Sequence, residues 1–108
     1  MEAIPQFIFR YETEDGRVPF SEWMDSVEEQ PIYGTVMVRL DRVEEGNFGD
    51  HGPVGEGVSE LRFHPGTGHR VYYGQIGRDI VILLAGGPKS SQESDIKLAK
   101  EYWRKCNA

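Results

Sequence analysis

Cysteine is almost missing from this chain. Cys106 is its one cysteine, so no internal disulfide can form, and a reducing, cytoplasmic setting is expected. Long apolar runs are missing too: the longest, Ile80 to Ala85, is far too short to cross a bilayer. Met1 to Tyr11 lacks the basic start and apolar stretch of a secretory signal, and no membrane partner is expected. The three histidines stand in neither HExxH nor Cys/His spacing, so the pattern offers no metal site. The glycine-rich stretch Asn47 to Gly57 lacks the GxxxxGK(S/T) phosphate cradle, and no nucleotide cofactor is expected. There is no internal repeat and no low-complexity segment.

Net positive charge is lacking as well. The total of −6 argues at first against a nucleic-acid partner, but the charge is unevenly spread. Residues 1–50 carry four Lys/Arg and twelve Asp/Glu, a balance of −8, whereas residues 51–108 carry eight and six, a balance of +2. Such asymmetry permits a local basic site on an acidic protein. At 108 residues the chain reads as one domain, 1–108, long enough to bury about two-thirds of its unfolded surface.

What is present is a meander. Val58 to Gly87 reads as three strands separated by Pro65-Gly66-Thr67-Gly68 and Gly77-Arg78-Asp79, and connections this short make neighbouring strands antiparallel. Period-2 alternation places Leu61, Phe63, Val71 and Tyr73 toward a core, and Glu60, Arg62, His64, Arg70 and Tyr72 on the opposite face. That second face is expected to be partly polar and functional. Ile80 to Ala85 is apolar at every position, as for a strand covered on both sides.

Around the meander, Gln6 to Glu12 reads as a first strand. Pro19 opens a helix with Phe20, Trp23, Met24 and Val27 as its stripe, and Pro31 opens a second with Ile32, Val36, Leu40 and Val43, ending at Gly46. Together they form a helical hairpin. Asn47 to Gly57 reads as a loop. Ser90 and Glu93 offer a capping box for a last helix whose apolar side is Ile96, Ala99 and Trp103. Lys97, Lys100, Arg104 and Lys105 lie on its wet side. The expected order is β-α-α-β-β-β-α, an α+β fold with a small, mainly antiparallel sheet and helices on one face. Phe20, Trp23, Val36, Leu40, Val71, Ile82, Leu84 and Trp103 are expected to be largely buried.

The series NFGD…VGEGVSELRFHPGTGHRVYY…IVILLAGGPKSSQ..DI.LAKEYW resembles the RelE/ParE superfamily of type II toxin–antitoxin toxins, and within it the HigB-like branch often called addiction-module killer proteins. The likeness is most specific in Ser59–Arg62, Gly68–Tyr73 and Gly86–Gln92. It implies a RelE-like fold and a ribosome-dependent endoribonuclease that cuts mRNA without a metal or other cofactor. The partners implied are the ribosome, mRNA and a cognate antitoxin of helix-turn-helix type, with DNA reached only through that antitoxin. The ParE branch implies gyrase poisoning instead. Carried over by position, Arg62 and Arg70 match basic sheet positions that hold the scissile phosphate, and Lys89 lies near the basic residue after the last strand. Near Asp95 the family carries a catalytic tyrosine, and this sequence has none there.

The chemistry needs a base for the 2′-OH, cations for the phosphorane oxygens and an acid for the 5′-O leaving group. Arg62, Arg70 and Lys89 suit the second task. His64 and His69 are of the residue type whose unperturbed pKa lies near neutrality, which suits the others; Asp95 stands near the position of the family's tyrosine, whose absence leaves the general base open. Tyr72 offers a ring for stacking an unpaired base. Two alternatives stand beside this. Arg62 and Arg70 can instead pair with Glu60 or other carboxylates across the strands. The whole chain can be a non-nucleolytic binding protein of the same fold, directed at gyrase or kept only for antitoxin binding.

Overall fold

In a computed structural model, residues 3–28, 30–64 and 68–107 are described. The elements are β1 (Phe7–Arg10), α1 (Pro19–Ser26), α2 (Pro31–Glu44), β2 (His51–Gly55), β3 (Val58–Arg62), β4 (Arg70–Ile76), β5 (Ile80–Gly87), a 3₁₀ turn (Lys89–Ser91) and α3 (Gln92–Cys106). This is an α+β fold built on one five-stranded sheet of order β1-β5-β4-β3-β2. Its pairings are antiparallel except for β1, which runs parallel to β5 with Phe7 opposite Ile80.

Both helix starts carry the expected proline in the first turn, where a missing N–H costs nothing. Past the end of α2, the Gly46 N–H bonds Val43 O at 2.8 Å. Phe20 and Met24 of α1, with Val36, Leu40 and Val43 of α2, pack on Leu61, Phe63, Val71, Tyr73, Val81 and Leu83. Each large side chain buried there contributes roughly 1.5–3 kcal/mol. Trp23 is only half-buried, because its ring lies over Gly86 near the rim, 5.9 Å from Phe20 and 6.2 Å from the His69 ring.

Three expectations need correction. First, Asn47 to Gly57 is not all loop: it contains β2, paired antiparallel with β3. Glu56 and Gly57 both have positive φ, 52° and 84°, the backbone of a two-residue type I′ hairpin that brings Gly55 opposite Val58. Pro53 is tolerated because β2 is an edge strand. The order is therefore β-α-α-β-β-β-β-α.

Second, helices cover both faces of the sheet. α3 brings Ala99 and Trp103 against Val58, Tyr72, Ile82, Leu84 and Ala85. A bulge in the pairing of Tyr72 and Tyr73 with β5 turns Leu84 and Ala85 together toward α3. The Trp103 ring lies flat on Gly74, where any Cβ would collide with it. Alternation assigned this face correctly, but its apolar half (Val58, Tyr72, Ile82, Leu84) matches the stripe of α3 and is closed by it.

Third, no capping box forms. The chain passes through the 3₁₀ turn, Ser91 is the N-cap residue, and its hydroxyl bonds Asp95 Oδ2 at 2.6 Å instead of a backbone N–H. The Pro65-Gly66-Thr67 part of the first reversal lies outside the described residues. β1 is shorter than expected, and its Phe7 and Phe9 are exposed.

Candidate functional site

β3 and β4 set Arg62 and Arg70 directly opposite one another, and strand alternation gives them the same face as Glu60 and Tyr72. Glu60 is 5% exposed and Arg70 8%, so a charged group of each sign is buried here. Glu60 Oε2 accepts from Arg62 Nε at 2.8 Å, and Oε1 accepts from Gln92 Nε2 of α3 at 3.2 Å. Arg70 Nε lies 3.5 Å from Glu60 Oε1, within ion-pair range but off hydrogen-bond geometry. Arg70 Nη1 donates to Gly68 O at 2.7 Å. A carboxylate so placed is stable because it is paired; removing one partner of such a pair costs on the order of 3–5 kcal/mol.

The cluster continues outward. Arg62 Nη1 also donates to Asp50 Oδ1 at 3.0 Å, and Asp50 Oδ2 lies 2.8 Å from His64 Nε2. His64 and then Arg62 hold the Asp50 carboxyl below the usual aspartate range. Glu60 and Asp50 in turn raise the Arg62 guanidinium. Gly52 of β2, opposite Glu60, makes room for the fork: a Cβ there would sit 2.5 Å from Arg62 Nη2.

On the α3 side, the Asp95 carboxylate rests against Gly87, which lies opposite Arg70 in the sheet, and no side chain fits between them. The Lys89 backbone turn is close by: a Cβ on Gly68 would meet Lys89 Cβ at 3.3 Å and Arg70 Nη1 at 3.5 Å. Arg62, Arg70, Lys89, His64 and Asp95 thus converge on the β3/β4 end of the sheet. His69 points away, half-buried near Trp23, and burial lowers its pKa.

Tyr72 does not serve as a stacking platform. It is 0% exposed, its hydroxyl has no hydrogen-bond partner among the described residues, and burial followed by Asp95 and Glu60 raises its pKa. The ring is part of the core beneath α3. Arg70 is buried as well, beside Glu60 and opposite Gly87, on which the Asp95 carboxylate rests.

Sequence reasoning saw Glu60 only as a possible partner of the arginines and Asp50 only as a loop residue. Ser91 and Gln92 were missed as side-chain partners; the i,i+4 spacing of Ser91 and Asp95 was the available signal. Among the described residues no group of three His, Cys, Asp or Glu could hold a metal, and no helix is long and apolar enough to cross a membrane.

A protein of Haemophilus influenzae, described as uncharacterized, is 41% identical to this chain over 81 residues, 75% of this chain and 82% of that protein. The chain belongs to that protein's family. No protein-family model matches it, and no solved structure does. Identity over most of both chains makes the fold of the relative the same in outline.

Proposed function

We propose that this chain is the toxin of a type II toxin–antitoxin module, a cytoplasmic, RelE-like, ribosome-dependent endoribonuclease that stops translation by cutting mRNA. The observation that carries the reading is the cross-strand pair Arg62 and Arg70, two forked cations on adjacent strands with Lys89 beside them. The sequence likeness to RelE/ParE toxins of the HigB-like branch supports it, and so does the succession of a helical hairpin, an antiparallel meander and a C-terminal helix.

The step is a transesterification. The 2′-OH loses its proton and attacks its own 3′ phosphorus, the P–O5′ bond breaks, and a 2′,3′-cyclic phosphate and a 5′-OH form. Charge on the non-bridging oxygens is met by guanidinium N–H groups of Arg62 and Arg70 and by Lys89. His64, oriented by Asp50, is the group placed to exchange the protons. The partner that silences the enzyme is a cognate antitoxin.

A second reading has its own support. Glu60 already occupies both arginines and Tyr72 is closed off, an arrangement suited to a protein of this fold that inhibits by binding, for instance at gyrase. Induced expression with pulse labelling separates the two. Protein synthesis that fails first, with mRNA cut in ribosome-bound positions, is the expected result. DNA synthesis or supercoiling failing while translation continues overturns it in favour of the second reading.

A further inference from the structure

α2 passes beside the end of β3 and leaves a cleft of about 510 Å³ lined by Thr35, Val38, Arg39, Arg42, Phe63 and His64, among others. Arg39 forms its inner wall. Its Nε donates to Phe48 O at 2.9 Å, Nη1 to Arg62 O at 2.9 Å and Nη2 to Asp50 O at 2.6 Å, and the guanidinium stacks over Phe63, 4.9 Å from the ring centre. All three acceptors are neutral carbonyls. The guanidinium is therefore held rigidly, and among the described residues no carboxylate lies within ion-pair distance of it. Burial lowers its pKa; Asp50 opposes that shift and Arg42 adds to it.

Asp50 acts on the Arg39 guanidinium only at longer range, its two carboxylate oxygens being engaged by Arg62 and His64. Arg42, exposed at the mouth, makes no ion pair among the described residues, not even with Glu45 one turn on. The cleft thus has a fixed cation inside, an exposed one at its lip, a histidine on one wall, and apolar Phe63 and Val38 beside them.

We infer that this cleft is a backbone subsite that takes a phosphodiester of an RNA strand next to the Arg62/Arg70 cluster. A phosphodiester brings one negative charge and acceptor oxygens for Arg39 and Arg42, while its sugar lies on the apolar wall. The cleft adjoins the cluster at the end of β3, since Arg39 is bonded to the Arg62 carbonyl and His64 on the cleft wall is paired with Asp50, which also holds Arg62. The inference rests on the nuclease reading above for the identity of the strand. The same phosphodiester chemistry is offered by messenger and by ribosomal RNA.

The test is a salt titration of binding by the full chain, read by anisotropy on a short fluorescein-labelled single-stranded RNA and by co-sedimentation with vacant ribosomes. Arg42→Gln is expected to lower the slope of log K against log salt by about one relative to wild type. Lys97→Gln, on the exposed side of α3, should leave it unchanged. Loss on the oligonucleotide assigns the subsite to the messenger, and loss on ribosomes alone assigns it to ribosomal RNA. In cleavage, Arg42→Gln raises KM with kcat retained. An unchanged slope in both arms, or displacement of RNA by polyglutamate at equal charge concentration, overturns the inference. If wild type binds with the expected slope but cuts nothing, the subsite stands and the nuclease reading falls. If wild type cuts while Arg42→Gln binds and cuts identically, the nuclease reading stands and the subsite falls.

Discussion

Glu60 and Leu61 are neighbours in β3 and both are buried, yet they enter two different interiors. Leu61 joins the α1/α2 side, a continuous apolar layer of Phe20, Val36, Val71 and Leu83. Glu60 joins the α3 side, which is apolar around Trp103 but charged at the first turn of the helix, with Arg70, Gln92 and Asp95 close together. The first interior is held by non-directional burial, which tolerates exchange of one apolar residue for another. The second is held by directional pairs, whose partners must all be present. The proposed nuclease needs fixed cations for a transient anion, and the buried Arg70 belongs to the second interior.

The contrast is sharpest for Arg70. Arg70→Ala should cut mRNA on programmed ribosomes on the order of 100-fold more slowly or worse. It should also lose about 3 kcal/mol of stability, because Glu60 keeps its charge and loses a neighbour. Pairing Arg70→Met with Glu60→Gln should recover the stability and not the cleavage. A single Arg70→Ala variant that cuts at the wild-type rate removes it from the site.

On the opposite face, Leu83→Ala should lower stability by about 2–5 kcal/mol in urea unfolding, through lost transfer energy plus the cavity left behind. Cleavage per folded molecule should be unchanged. A fall in kcat at full folding would show that the two interiors are not independent.

Tyr72→Phe tests whether the buried phenol earns its place. Since its hydroxyl has no partner among the described residues, removal should be neutral or stabilising by up to about 1 kcal/mol. Destabilisation of that size would mean the hydroxyl is bonded after all.

The smallest effect is expected at Asp50, on the rim. His64 and Arg62 depress its folded pKa, so its contribution is present above the ordinary aspartate value near about 4 and is lost as pH falls through the lower folded value. The melting-temperature gap between wild type and Asp50→Asn should therefore narrow below about pH 4. A gap constant over that range contradicts the pairing.

Much of this was readable from residue order. The stripes at Phe20–Val27 and Val36–Val43, the meander strands and the apolar β5 follow from local periodicity, because side-chain direction along a helix or strand is set by the backbone repeat alone. The same alternation put Glu60, Arg62, Arg70 and Tyr72 on one face. It could not say how deep each would lie. Burial depends on what lands on that face, and α3 comes from about twenty residues or more further along the chain.

That division runs through the whole molecule. Local residue order sets every element but β2, the faces of those elements and the grouping of basic residues in the second half, since each depends on neighbours within a turn or a strand. Packing of the layers settles that β2 extends the sheet, that Tyr72 is core, that Glu60 lies within ion-pair range of both arginines, and that Arg39 gives its N–H groups to backbone carbonyls. Those outcomes depend on which distant side chains compete for the same space and the same charge, and such competition begins only when the layers pack.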